Sequence, residues 1–274
     1  QSDSRAFAAM MKHVKEVDAQ SRTVIMVQVQ NEVGILGSPR DYSPKAEEAF
    51  YSAVPQELMT FLSANRENLL PETSELWAAS GYKTSGTWEE VFGKGEECDE
   101  VFMAWHYANF LNENTKAGKA EYPLPMFVNA WLVQISDKKP GDYPSGGPQA
   151  HMHDIWRAGA PEVDLYCPDI YRPVFTELCE LYTRNNNVLF IPEARAGEQG
   201  AGQMFCAIGK YNSIGYSPFG FESRTDDVEN DPMTRAYNVA GNMADIILDA
   251  QQMGKITAFL MDENSSSKET VTLG

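Results

Sequence analysis

The stretch Thr-Val-Ile-Met-Val-Gln-Val-Gln-Asn-Glu occupies residues 23–32 and decides the fold that we predict. Its first eight residues are rich in β-branched and apolar side chains, which predicts a buried strand, and the acidic Glu32 follows soon after. Comparable short apolar runs recur at residues 126–131, 163–166, 188–191 and 214–219. The sequence therefore predicts a series of buried strands spread along most of the chain.

Helical patterns separate these strands, and the alternation favours a parallel α/β architecture over a β-sandwich. An amphipathic pattern from Phe7 to Val17 predicts one helix near the start. The stretch 34–122 is long for one crossover and contains Trp77 and Trp88, so we predict loop material at the functional rim of a barrel. The other predicted helices cover residues 55–66, 99–116, 149–158, 175–185, 202–211 and 234–253.

Five strand and helix units are too few for a closed (β/α)8 TIM barrel, in which eight parallel strands alternate with helices. We therefore expect strands four to eight to be present and the first three to lie upstream of Gln1. Residues 1–254 form the C-terminal part of the barrel in this interpretation. Runs at residues 257–261 and 270–273 predict further strands, so residues 255–274 are expected to begin an appended β-domain.

The charge balance limits the possible partners. With 22 Lys and Arg against 39 Asp and Glu, the net charge of -17 disfavours nucleic acid and anionic membranes, because like charges repel. No apolar run reaches the roughly 18 to 20 residues that span a bilayer. The cysteines contain no CxxC pair, which favours small buried apolar residues over a zinc site or a disulfide scaffold. They are Cys98, Cys167, Cys179 and Cys206.

Two glutamates stand at strand ends. Glu32 follows the first predicted strand and Glu193 follows the run at 188–191. A carboxylate at the C-terminal rim of a barrel lies where the catalytic groups of this fold are found. For a single glutamate, capping or pairing with a neighbour such as Arg195 would explain the position. Two of them favour glycoside cleavage, which needs one acid and one carboxylate.

Longer runs of the chain resemble the β-galactosidases of glycoside hydrolase family 35, in clan A, in the bacterial branch with an extra C-terminal β-domain. The likeness extends from about residue 7 to about residue 254 and rests on the order of its motifs. These are VIMVQVQNEVG (24–34), FMAWHYANFLNE (102–113), AGKAEYPLPMFVNAWL (117–132), PGDYPSGGPQAHMHDIWRAGAPEVDLYCPDIY (140–171), LFIPEA (189–194) and YSPFGFE (216–222).

The resemblance implies a role for each matching residue. Glu32 would be the general acid/base after strand four, Glu193 the nucleophile after strand seven, and Asn31 would hydrogen-bond the sugar 2-hydroxyl. The strand count agrees, since residues 188–191 are strand seven when 23–30 is strand four. One departure is Gln30, where the family usually has another glutamate; its loss could alter the acid/base pKa or a substrate contact, but leaves the catalytic pair intact.

The same resemblance implies a retaining, exo-acting β-galactosidase that acts on an oligosaccharide or glycan. It implies no cofactor, since acid and nucleophile are both side chains, and a periplasmic or secreted location. Weaker candidates for substrate binding lie at other strand ends. A tyrosine can orient a nucleophile and a tryptophan can face a sugar ring, although packing explains Trp131 equally well and a solvated loop carboxylate explains Glu222 better. These candidates are Asn129, Trp131, Tyr171 and Glu222.

Two rival interpretations remain. His151, His153 and Asp154 resemble half of a metal site, which would suggest a metallohydrolase. The chain has only four histidines and this cluster precedes a helix, so capping or rim packing is the better explanation and we expect no metal. The other rival is a catalytically silent carbohydrate-binding fragment, against which the intact pair of Glu32 and Glu193 argues. Among glycosidases, another clan A β-glycosidase specificity is the alternative to β-galactosidase. The sequence does not indicate an oligomeric state.

Overall fold

The computed structural model describes residues 2–133, 138–223, 227–261 and 270. The chain divides into two compact units, Gln1–Pro168 and Asp169–Gly274. The boundary falls inside the third strand, which therefore contributes residues to both units.

The described strands belong to a five-stranded sheet whose order, β1-β2-β3-β4-β5, is also the order of the chain. The β1–β2, β3–β4 and β4–β5 pairings are parallel, and helices connect the strands. This confirms the predicted parallel α/β class, in which crossover helices join parallel strands. The strands are β1 (Val27–Gln28), β2 (Met126–Trp131), β3 (Leu165–Ile170), β4 (Ile191–Ala194) and β5 (Tyr216–Pro218).

The first strand is shorter and less buried than predicted. Only two residues of the run 23–30 form β1, both are half-buried, and Ile25 is 69% exposed. The prediction of a buried strand over 23–30 was therefore wrong in extent, because β1 stands first in the strand order and its described ladder is with β2 alone. By contrast, β3 is buried along its whole length.

The fourth strand begins three residues later than the apolar run that predicted it. Residues 188–191 precede most of β4, and Glu193 lies within the strand rather than after it. The register explains the shift, because Asp169 of β3 pairs with Glu193 and Ile170 with Ala194.

The helices of the first unit fill the long stretch between β1 and β2. The longest, α6, extends beyond the predicted 99–116. It begins after Gly95, whose φ is 131°. Glu96 and Glu97 in its first turn stabilise the helix, because their negative charges lie at the positive end of the helix dipole. The described helices are α1 (Ser2–Asp18), α2 (Pro44–Phe50), α3 (Gln56–Ala64), α4 (Pro71–Ala78), α5 (Trp88–Phe92), α6 (Glu96–Glu121) and α7 (His153–Gly159).

Trp77 and Trp88 belong to the core of this unit. The prediction that they lie in a loop at the rim was therefore wrong. Both indole rings are about 1% exposed. Thr87 begins α5 with a capping box, in which its hydroxyl accepts from the Glu90 amide and the Glu90 carboxylate accepts from the Thr87 amide. Phe102 of α6 packs edge-on against Trp88 with ring centroids 5.3 Å apart. Burying such large rings stabilises the helices more than exposing them at a rim would.

The second unit contains β4, β5 and the remaining helices. The single helix predicted at 234–253 is broken at Met243, which ends α10 and precedes α11. The cysteines of both units are buried, as predicted. The described helices are α8 (Phe175–Tyr182), α9 (Gly197–Tyr211), α10 (Pro232–Asn242) and α11 (Ala244–Gln252).

The end of the chain tests the appended β-domain only in part. Residues 257–261 form no strand, so the prediction of one there was wrong; apolar, β-branched residues form a strand only where a neighbour satisfies their backbone groups. Of the run 270–273, only Thr270 lies within the described residues. The β-domain at 255–274 stays a prediction. None of the described helices has both the length and the apolar character needed to cross a membrane.

Asp154 fixes the start of α4 from α7. Its buried carboxylate accepts a hydrogen bond of 2.6 Å from the amide of Leu70, the N-cap residue of α4. The sequence predicted capping or rim packing for the cluster that contains Asp154; this contact is of the capping kind, but it lies at the start of α4 and not of its own helix α7. Burial raises the pKa of Asp154, and the hydrogen bonds from Leu70 and Thr73 lower it only in part.

Asp154→Asn is expected to flatten the pH dependence of the free energy of unfolding. Because the folded-state pKa lies above the unfolded value of 3.8, the native state binds the proton more tightly. The wild-type free energy of unfolding therefore falls as pH rises from the unfolded pKa through the raised one. Asparagine has no proton to lose, so this component disappears. Denaturant titrations across that pH range measure it.

The matched control is Asp249→Asn, which changes an exposed carboxylate on α11. If the free energy of unfolding has the same pH dependence in wild type and Asp154→Asn, the raised pKa of Asp154 is contradicted.

Candidate active site

In the first unit, the loop after β1 is held by a side chain of β2. Glu32 has φ 45°, a left-handed backbone conformation that is uncommon outside glycine. Its amide donates a hydrogen bond of 3.0 Å to Oδ1 of Asn129, whose side chain is completely buried. Nδ2 of Asn129 donates to Oδ1 of Asn31 at 2.9 Å, and the Gln28 amide donates to the same oxygen at 3.0 Å. The structure thus brings together three predicted site residues, Asn31, Glu32 and Asn129.

The end of β2 is fixed by a residue that the sequence did not single out. Nε2 of the buried Gln149 donates to the backbone oxygen of Trp131 at 2.6 Å, and its Oε1 accepts from the Val133 amide at 3.3 Å. The Trp131 side chain is 38% exposed, so it offers an aromatic face to solvent while its backbone is held. A contact between the Trp131 ring and a substrate stays a prediction.

Glu100 of α6 anchors the segment that carries Gln149. This carboxylate is 2% exposed, and it accepts from the Tyr143 hydroxyl at 2.9 Å and from the Gly146 amide at 3.4 Å. His151 Nε2 lies 2.9 Å from the same carboxylate. Burial, and then the neighbouring Glu100, raise the pKa of Tyr143. Glu100 follows three other acids at the start of α6, so the sequence offers no signal that separates it from them.

In the second unit, Glu193 has two polar neighbours, Asp169 and Tyr171. The Tyr171 hydroxyl donates to Oε2 of Glu193 at 2.9 Å. Asp169, the register partner of Glu193, is buried, and carboxylate oxygens of these two residues lie within 4.8 Å of each other. Tyr171 and Glu193 were predicted site residues and Asp169 was not, although the spacing Asp-Ile-Tyr places Asp169 and Tyr171 on the same face of an extended chain.

Arg195 does not take the ion-pairing role that its position beside Glu193 suggested. Its Nε donates to the backbone oxygen of Tyr171 at 2.7 Å, while its own backbone oxygen accepts from the Tyr216 hydroxyl at 2.9 Å. Burial raises the pKa of Tyr216, which therefore stays a neutral donor. Arg195 and Tyr216 thus support the backbone around Tyr171 and Glu193. Glu222, the remaining candidate, lies exposed in the short 3-10 helix Phe221–Ser223.

No protein-family model matches the chain, and no curated protein matches it significantly.

Glu100→Ala is expected to lower the free energy of unfolding by about 1 to 3 kcal/mol, because it leaves the buried donors of Tyr143 and Gly146 without their acceptor. Equilibrium denaturation by urea measures the loss. Glu97→Ala removes an exposed carboxylate from the same helix and serves as the control. A loss no larger than that of the control would show that Glu100 does not anchor this segment.

Proposed function

We propose that this chain belongs to a retaining glycoside hydrolase, an exo-acting β-galactosidase of the family 35 type. The observation that carries the proposal is the hydrogen bond from the Tyr171 hydroxyl to Glu193 Oε2. A donor on one carboxylate oxygen fixes the plane of the carboxyl group and leaves the other oxygen to be aimed at an anomeric carbon. Glu193 is the nucleophile in this proposal.

Glu32 is the proposed general acid/base. It follows a parallel strand, it stands in the Asn-Glu pair that resembles the clan A motif, and its backbone is fixed by Asn129. Asn31 would donate to a hydroxyl of the sugar from its side-chain nitrogen, since its oxygen accepts from Gln28 and Asn129.

The reaction then proceeds by double displacement. Glu193 attacks the anomeric carbon while Glu32 protonates the departing glycosidic oxygen, which gives a covalent glycosyl-enzyme and the free leaving group. Glu32, now ionised, takes a proton from water, and that water displaces Glu193 from the same face on which the leaving group stood. Two inversions give net retention, which requires the carboxyl groups to lie about 5 to 5.5 Å apart. Both groups are side chains, so the mechanism uses no cofactor.

The parallel strand order supports a finer proposal for the fold. In a (β/α)8 barrel, β1 to β5 would be strands four to eight, and catalytic groups would stand at their C-terminal ends. The net charge of -17 favours a neutral glycan over an anionic one as substrate. A periplasmic or secreted location fits that substrate.

Glu193→Gln and Glu32→Gln are each expected to reduce hydrolysis of phenyl β-galactoside by the full-length protein by at least about 100-fold, within the range that general acid/base groups contribute. With dinitrophenyl β-galactoside, whose leaving group needs no protonation, azide is expected to rescue Glu32→Gln, because this small anion attacks the glycosyl-enzyme without needing a general base. The product would be β-galactosyl azide, identified by proton NMR of the anomeric position.

Glu177→Gln, at an exposed position of α8, is the control for the loss of a carboxylate. Wild-type activity in Glu193→Gln would remove the assigned nucleophile. An azide product of α configuration would rule out retention through Glu193.

Tyr171→Phe is expected to lower kcat about 10- to 100-fold with little change in KM. A hydrogen bond to a charged group is worth about 1.5 to 3 kcal/mol, and each 1.36 kcal/mol is about tenfold in rate. Steady-state kinetics on aryl β-galactosides measure both constants. Tyr211→Phe removes a hydroxyl that contacts Glu180 and the Thr176 backbone, and it is the matched control. A Tyr171→Phe enzyme with unchanged kcat would contradict the orienting role.

A further inference from the structure

The backbone of Glu32 needs an external restraint. A non-glycine residue at φ 45° is held in a sparsely populated conformation, which persists only where neighbouring groups determine it. The residue also follows a strand of only two residues, so the β1 ladder ends before it. Whatever fixes Glu32 must therefore act directly on the loop.

Asn129 is placed to supply this restraint. It lies on β2, whose register with β1 pairs Gln28 with Phe127, two residues before Asn129. Its side chain has no exposed surface, and its Oδ1 accepts the Glu32 amide at 3.0 Å. A buried acceptor with a fixed side-chain orientation holds the Glu32 N–H in one direction.

The same amide group also orients Asn31. Nδ2 of Asn129 and Nε2 of Gln28 both donate to Oδ1 of Asn31, at 2.9 and 3.0 Å. Two donors on the oxygen fix which end of the exposed Asn31 amide faces the protein. One buried side chain thus sets the direction of both residues of the Asn-Glu pair.

We propose that Asn129 is a positioning residue for the acid/base carboxylate, acting through the Glu32 backbone and the Asn31 amide. This role replaces the substrate contact suggested by its place on the strand, because its side chain is buried. The inference rests on the proposed function of Glu32.

Leaving-group chemistry distinguishes this role from general structural support. A phenol leaves poorly and needs a well-placed acid, whereas a dinitrophenolate leaves without protonation. Displacing an acid by about 1 Å can cost on the order of 100-fold in rate. Asn129→Ala is therefore expected to lower kcat/KM at least about 30-fold for phenyl β-galactoside and less than about threefold for dinitrophenyl β-galactoside.

The full-length protein is compared with Asn129→Ala, Asn129→Asp and Asn114→Ala. Asn114 is another buried asparagine of the same unit, which accepts from the Ser4 hydroxyl on α1, and its variant controls for the loss of a buried amide. Asn129→Asp keeps an acceptor for the Glu32 amide. It is expected to retain more phenyl β-galactoside activity than Asn129→Ala, and it carries the test where the alanine variant does not fold.

A second measurement does not depend on catalysis. Hydrogen exchange at the Glu32 amide, followed by NMR, is expected to accelerate at least tenfold in Asn129→Ala and to stay within about twofold of wild type in Asn114→Ala, because only the first removes the acceptor.

The outcomes separate the two proposals. Equal losses on both galactosides, or unchanged exchange at Glu32, would overturn the role of Asn129 while leaving the β-galactosidase intact. A wild-type protein that cleaves neither galactoside would overturn the proposed function, and faster exchange in Asn129→Ala would still support the restraint on Glu32.

Discussion

The parallel pairing of β1 with β2 is the constraint on which the candidate site of the first unit depends. Two register pairs, Val27 with Met126 and Gln28 with Phe127, bring the loop after β1 alongside the second half of β2. The next strand is tied to β2 in turn, because the Asp164 amide donates to the Met126 oxygen and the Asp164 carboxylate accepts the Met126 amide. These few hydrogen bonds set the positions of the strand ends and of the side chains that follow them.

Buried polar side chains carry this order beyond the short strands. Asn129, Gln149 and Glu100 are each buried, and each accepts a hydrogen bond from a backbone amide that lies outside the strands. An amide or carboxylate that is removed from water must have partners, and its hydrogen bonds are stronger in the low dielectric of the interior. Such residues give irregular loops a fixed conformation, whereas apolar packing alone would leave the direction of each amide undetermined.

The predictive power of the sequence varied with the kind of interaction involved. The alternation of apolar runs and helical patterns predicted the parallel α/β class, and the buried state of the cysteines followed from their chemistry. The extent of β1 and the three-residue shift of β4 were missed because strand limits depend on the partner strand, which an apolar run does not encode. The indole rings of Trp77 and Trp88 were misplaced since composition alone does not distinguish a helical insertion from a loop.

The candidate site shows the same division. Glu32, Glu193 and Tyr171 were found because they end or follow apolar runs. Asp169 and Gln149 were missed, because what distinguishes them is a register partner or a backbone contact far along the chain. Asn129 was named, but its contact with a residue 97 positions away could not be read from the sequence.

The long sequence separation between Glu32 and Asn129 also affects the order of folding. Joining β1 to β2 closes a loop of about a hundred residues. This closure costs conformational entropy before the two-residue ladder can stabilise the fold. The helices α2 to α6 all lie inside this loop and are formed by near neighbours along the chain. Once they have packed on one another, the distance between the loop ends is already restricted. The loop that carries Glu32 is therefore expected to be among the last parts of the first unit to become ordered, after the helices α2 to α6 have packed.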